Sequence, residues 1–318
     1  MESVIEFDRM LLGDLTGVKR VPIIDYGFWA HKISILPRYR PFLLEKIVDL
    51  AQEYCVDQLF KELLINECKD ECPILLHRLH RKGIIEFNDI GSFDTTKIMK
   101  KFVLCYCFQE FIPDFDNHTI HKYHPIGFNK IANYIDECIE FGFPKSSIEF
   151  SMKYDDLEAL NAYLSDPSIS NQNDCSWNPF EWAENPESLD FLSFCGYFGS
   201  INCFKRLMMN GLQITQSTME NIVCSGNIDL FHIGCDVKNH GTRLLMKAAE
   251  YGWNHMIDFL VEQKVDVNQA DRRLETPMHF ATCGNSISII DLLRQNGADI
   301  NIQDGCLLII YIYGLPFI

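Results

Sequence analysis

From residue 243 onward, apolar and polar positions repeat in a register of 33 residues. The segment Arg243-Leu244-Leu245-Met246-Lys247-Ala248-Ala249-Glu250-Tyr251-Gly252 stands one period before Thr276-Pro277-Met278-His279-Phe280-Ala281-Thr282-Cys283-Gly284-Asn285. An apolar ladder follows each segment: Met256, Ile257, Phe259 and Leu260 in the first, and Ile289, Ile290, Leu292 and Leu293 in the second. The endings also match, Asp266-Val267-Asn268 against Asp299-Ile300-Asn301. Spacing of three and four predicts short helices with one buried side. The Thr276 hydroxyl suits a helix cap, and Pro277 suits the first helical position, where no N–H is needed. Ala281 is small enough to let a neighbouring helix approach. Asn285 and Gly252 tolerate the left-handed conformation that ends a helix, and Gly297 closes the second one. A fixed period of this length predicts a stacked solenoid.

The pair Thr276-Pro277-Met278-His279-Phe280-Ala281 and Asn296-Gly297-Ala298-Asp299-Ile300-Asn301 resembles an ankyrin repeat. The preceding unit departs from that pattern, with Arg243-Leu244-Leu245-Met246 at the Thr-Pro-Leu-His position and Lys264-Val265 at the Gly-Ala position, but its phase is kept. The resemblance implies a structural role for His279, hydrogen bonding within and between repeats.

Upstream the period shortens. Phe194–Gly211 has the helix–Gly–helix–Asn-Gly layout of one unit, and Asn221–Phe231 resembles another. The glycines at 199, 226 and 252 are 27 and 26 residues apart, too close for a long hairpin between units. Ser147–Leu160 reads as a further candidate helix pair.

Residues 37–110 carry longer helical patterns without a repeat. Pro41 opens a predicted helix with Leu44, Ile47, Val48, Ala51, Tyr54 and Cys55 on one face. The pattern continues through Leu59, Phe60, Leu63 and Leu64 with a break near Val56. Ile74–Gly83 predicts a helix with a basic end and a glycine stop, Lys97–Phe111 a third helix, and Phe128–Phe141 a fourth. Ser165–Glu187, rich in Asn, Ser, Asp and Pro, reads as a loop that tucks Trp177 and Trp182 against the solenoid. Pro37-Arg38-Tyr39-Arg40-Pro41, Ile148–Asp156, Ser176–Trp182 and Cys195–Asn210 together resemble a large protist family in which a helical N-terminal domain of unknown function precedes ankyrin repeats. The expectation is an all-α chain: a helical region over 1–146, a divergent helix pair and loop over 147–187, and ankyrin repeats over 188–318, the last truncated.

Composition narrows the function classes. With Lys plus Arg at 28 against Asp plus Glu at 44, the net charge is −16. Such a chain repels phosphate backbones, so nucleic acid is disfavoured as a partner. The compact basic cluster His77–Lys82 reads as a solvated helix end with favourable charge at its C-terminus. The 13 cysteines, with no apolar leader after Met1, read as reduced thiols packed in cores, which implies a cytoplasmic protein. The Asn117-His118-Thr119 sequon reads as accidental on the same ground. The apolar tail Cys306–Ile318 is too short to span a bilayer. As an uncapped repeat end, it predicts self-association or a truncated array.

Cys105/Cys107 and Cys68/Cys72 lack paired zinc spacing, and His118, His121 and His124 fall in a polar, proline-bracketed stretch, so no metal or cofactor is expected. Phosphate loops, nucleophile elbows and kinase signatures do not appear in the sequence. The expected function is a non-catalytic scaffold that binds a protein. The resemblance places recognition at hairpin tips and the exposed side of first helices: Asn239, His240, Thr242, Glu250 and Tyr251, then Arg272, Arg273, Glu275 and Cys283. Trp253 fits packing between repeats equally well. The alternatives are an adaptor that recruits substrates to a ubiquitin ligase or links to the cytoskeleton through its N-terminal helices, and an enzyme with a site in the N-terminal half.

Overall fold

The computed structural model describes residues 26–39, 44–90, 107, 134–166, 174–175, 189–234, 237–283 and 286–303. The described elements are all helices. Two compact units emerge, one formed mainly by residues up to Ser151 and the other by residues from Met152 onward, resuming at Asp190.

The first unit contains α1 (Tyr26–Tyr39), α2 (Leu44–Tyr54), α3 (Gln58–Glu71), α4 (Pro73–Arg81), α5 (Phe87–Ile90) and α6 (Ile135–Phe141). Asp57 separates α2 from α3 because its carboxylate accepts from the backbone N–H of Leu59 and Phe60, an N-cap that starts a new helix where the sequence pattern breaks. Pro73 opens α4 at the position that needs no N–H. The α1 helix packs on α2 and α3, and α4 packs on both α2 and α3. At the centre Tyr54 stacks on Trp29 with ring centroids 6.0 Å apart and tilts against Phe60 at 5.5 Å. The basic cluster differs from its expected solvated state. His77 is buried, Arg78 and Lys82 both reach Glu45 at 3.4 Å, and Lys82 also binds Asp49 at 2.8 Å. Burial, reinforced by the neighbouring Arg78 and Arg81 charges, lowers the His77 pKa to about 4.

The second unit is built from helix pairs. After α7 (Ile148–Lys153), which contains the point where one unit gives way to the other, come α8 (Leu157–Ser165), α9 (Phe191–Phe198), α10 (Ile201–Met209), α11 (Gln216–Ser225) and α12 (Ile228–Gly234). Then follow α13 (Val237–Tyr251), α14 (Asn254–Glu262), α15 (Pro277–Cys283) and α16 (Ile287–Gln295). First helices stack in the order α9, α11, α13, α15, while α10, α12, α14 and α16 pack on their own partners. The α8 helix packs on α10, as α14 packs on α16. In α16 the buried Ile289, Ile290 and Leu293 form one stripe, each worth about 1.5–3 kcal/mol relative to exposure.

Short side-chain bonds tie successive pairs together. Asp155 accepts from the backbone N–H of Cys203 at 2.8 Å and of Asn202 at 3.2 Å, capping α10. Asn227 donates to the Gly199 carbonyl at 3.3 Å. The repeated Asp-x-Asn ending also has a physical role. Asp266 and Asp299 each accept from the backbone N–H two residues on, at 2.9 Å. Asn268 then reaches forward, donating to the Gly297 carbonyl at 2.9 Å and accepting from the Asp299 N–H at 2.7 Å. Gly226 takes a left-handed φ of 71° and lies so close to the buried Trp253 ring that an added Cβ would meet it at 2.1 Å. Ala281 is fully buried on the first-helix stack. His279 Nδ1 accepts from the Thr276 N–H at 3.1 Å and lies 2.9 Å from the Thr276 hydroxyl, which places the neutral ring's proton on Nε2.

Lys97–Phe111 (apart from Cys107), Trp177 and Trp182, the three closely spaced histidines, the sequon, Asn285 and the tail after residue 303 lie outside the described residues. The described cysteines are free and mostly buried. Among the described residues no helix is long and apolar enough to cross a membrane.

Candidate partner-binding surface

A cleft of about 550 Å³ opens where the first helices α11 and α13 meet the turn that precedes α15. Gln216 stands at the start of α11, while Thr242, Arg243 and Met246 lie along α13 and Asp271, Arg272 and Arg273 belong to the turn. The turn is held by Asp271. Its Oδ1 accepts from the backbone N–H of Arg273 at 2.8 Å and of Glu275 at 3.0 Å, while its own N–H donates to the Glu275 carbonyl at 2.9 Å. This is an Asx-type turn, in which a short carboxylate takes the place of backbone partners.

The cations of the cleft are unequal. Arg243 is held at 2.8 Å by Glu220, which also accepts from Gln216 at 2.8 Å, so its charge is matched inside the fold. Arg272 and Arg273 are exposed and make no ion pair with any described residue. Just beyond them Leu274 holds a left-handed φ of 63° with its side chain 55% exposed.

The expected recognition residues divide accordingly. Thr242, Arg272 and Arg273 come together in this cleft. Asn239, His240 and Thr242 do not form a hairpin tip, because α13 begins at Val237 and carries all three in its early turns. His240 is half-buried, and the Asn239 side chain lies outside the described residues. Tyr251 is 1% exposed and therefore is not displayed to a partner; its ring packs in the core with the Lys247 ammonium 5.5 Å from its centroid. Glu250 is mostly buried beside the same lysine at 2.9 Å. Glu275 is half-buried and Cys283 is exposed at the end of α15. Trp253 is buried.

Gln216, Arg243, Met246, Asp271 and Leu274 were not singled out from the sequence. A signal existed for the first two, since Gln216 and Arg243 stand one short period apart and so face the same way from successive first helices. For Leu274 the signal is conformational and has no trace in composition or periodicity.

Comparison with known proteins agrees with this architecture. Residues 192–304 match the family model for ankyrin repeats, in three copies. A stretch of 82 residues, 25% of this chain, is 30% identical to the human transient receptor potential cation channel subfamily A member 1. The matched stretch spans only 7% of that protein's length. The chain thus carries ankyrin repeats over residues 192–304, and this segment is a protein-interaction module.

Proposed function

We propose that this chain is a non-catalytic scaffold that binds a protein partner through the cleft formed by α11, α13 and the turn at 271–275. The observation that carries this reading is the pair of exposed arginines, Arg272 and Arg273, fixed on an ordered turn over a cleft within an ankyrin array. A turn pinned by its own carboxylate loses little freedom on binding, so contacts made there are not offset by ordering. Arginine is also a residue type that commonly anchors interfaces. The acidic balance of the chain favours a protein over a nucleic acid, and a cytoplasmic setting accords with free, buried cysteines.

An adaptor role is the second reading. It is favoured by the first unit, which has its own aromatic core around Trp29, Tyr54 and Phe60 and so offers a separate body for a second partner.

Affinity purification of the intact chain, followed by cross-linking to the recovered protein, tests the scaffold. The expected cross-links fall at the cleft. A partner attached solely to residues 26–151 would refute binding through the repeats, and turnover that survives loss of the repeats would refute the non-catalytic role.

A further inference from the structure

The turn at 271–275 holds two features that folding alone does not account for. Its arginines are exposed, whereas Arg243 beside them is matched by Glu220. Leu274 occupies a left-handed backbone conformation that glycine would adopt freely and that costs a side chain with a Cβ about 1–2 kcal/mol. That strain is not offset by burial, since Leu274 is 55% exposed. The other two non-glycine residues with positive φ differ. Asp155 uses its conformation to cap α10, and Lys264 ends α14. Leu274 makes no such local contribution, and strained positions that persist without one cluster at binding clamps.

We propose that this turn and the adjoining cleft hold an acidic segment of a partner protein, with carboxylates on Arg272 and Arg273 and a neighbouring apolar side chain over Leu274. The proposal rests on the reading that the repeats bind protein and specifies the chemistry of the bound segment. Arginine presents a planar fork that matches a carboxylate with two parallel hydrogen bonds. Met246 in the cleft and Leu274 at its rim extend an apolar strip beside the charges. A polynucleotide would meet the same arginines, but it would also meet the field of a chain whose net charge is −16 and a rim with no aromatic platform among the cleft residues.

Selection of a random dodecapeptide display library on the full chain tests this, with binding of the enriched peptides measured by fluorescence anisotropy. Enriched peptides are expected to be acidic with at least one apolar residue. The double variant R272E/R273E should weaken them by about tenfold or more, because two charge-assisted contacts become repulsive. Leu274→Gly should weaken them several-fold while raising the melting temperature, a combination that a purely structural role for Leu274 does not give. Neutral or basic peptides, acidic peptides that bind R272E/R273E equally well, no enrichment at all, or a single-stranded RNA dodecamer binding as tightly as the best peptide would each overturn the proposal. The broader scaffold reading fails separately, when a partner recovered with the intact chain cross-links only to the helical unit.

Discussion

The helical unit and the ankyrin repeats use charge in opposite ways. In the helical unit, cations that look exposed in the sequence are consumed by the fold: Arg78 and Lys82 meet Glu45 and Asp49, and Lys61 meets Asp89 at 2.5 Å. Burial lowers Lys32 to about 8 and His77 to about 4. In the repeats, helix pairs are joined mainly by backbone and amide contacts from Asp155, Asn227 and Asn268, which leaves Arg272 and Arg273 available. A basic run in a sequence is therefore a poor guide to a binding site until its carboxylate partners are located. A pair of arginines on a self-sufficient turn is a better one.

The largest effect expected from breaking this contrast lies at a repeat junction that involves no charge. Gly226→Ala would place a Cβ 2.1 Å from the Trp253 ring at a left-handed φ of 71°. Overpacking and backbone strain together should cost about 2–4 kcal/mol. Gly297→Ala, with a φ of 88° but nothing within 4 Å of its Cβ, should cost about 1 kcal/mol. Urea melts of the two variants measure the difference, and equal losses would mean that the glycine–tryptophan contact does not hold the stack.

The second test belongs to the helical unit. The folded pKa of His77, about 4, lies below its ordinary value of 6.5, so between these limits the unfolded chain binds a proton that the folded chain does not. Stability is therefore retained above pH 6.5 and falls as pH drops toward 4, by up to about 3 kcal/mol from this residue. His77→Gln should flatten the decline in a series of thermal melts between those pH values. An unchanged slope would show that His77 does not set the acid sensitivity.

Much of the repeat was legible because each signal was local and periodic. Pro277, Ala281 and His279 each occupy the role that their type and register suggested. The failures share a cause. Helix α1 carries Pro37 in its interior, and a proline there reads as a boundary when a single chain segment is considered. The early turns of α13 contain Lys238, Asn239, His240 and Gly241, which carry no apolar period, so the helix extends further than its pattern. Tyr251 and His77 are polar-tipped residues whose burial is decided by neighbours distant in sequence. For the site, the arginine pair was visible, but the cleft beside it depends on α11 and α13 being stacked.

Close helix approach gives a third, smaller test. Ala281 is fully buried in α15, which packs on α13, and Ala281→Leu should overpack that junction by roughly 1–3 kcal/mol. The Trp253 fluorescence should report the loss in the same transition as circular dichroism, because Trp253 is buried in the adjoining repeat. A melt equal to that of the parent chain would place Ala281 against solvent.

The smallest effect separates strain that only ends a helix from strain that serves binding. Lys264 and Gly297 close α14 and α16 one period apart, with φ values of 63° and 88°. Lys264 is exposed, so its side chain gains nothing from packing that would offset the left-handed backbone. Lys264→Gly removes a penalty of about 1–2 kcal/mol and adds about 0.5–1 kcal/mol of backbone entropy to the unfolded chain, leaving a net gain of roughly 0.5–1 kcal/mol. Peptide binding should not change, because Lys264 lies outside the cleft. Leu274→Gly should give a similar gain in stability, but with a loss of binding. If both variants gain stability and neither loses affinity, then left-handed residues in this array mark helix ends and turns alone, and the bound segment does not touch Leu274.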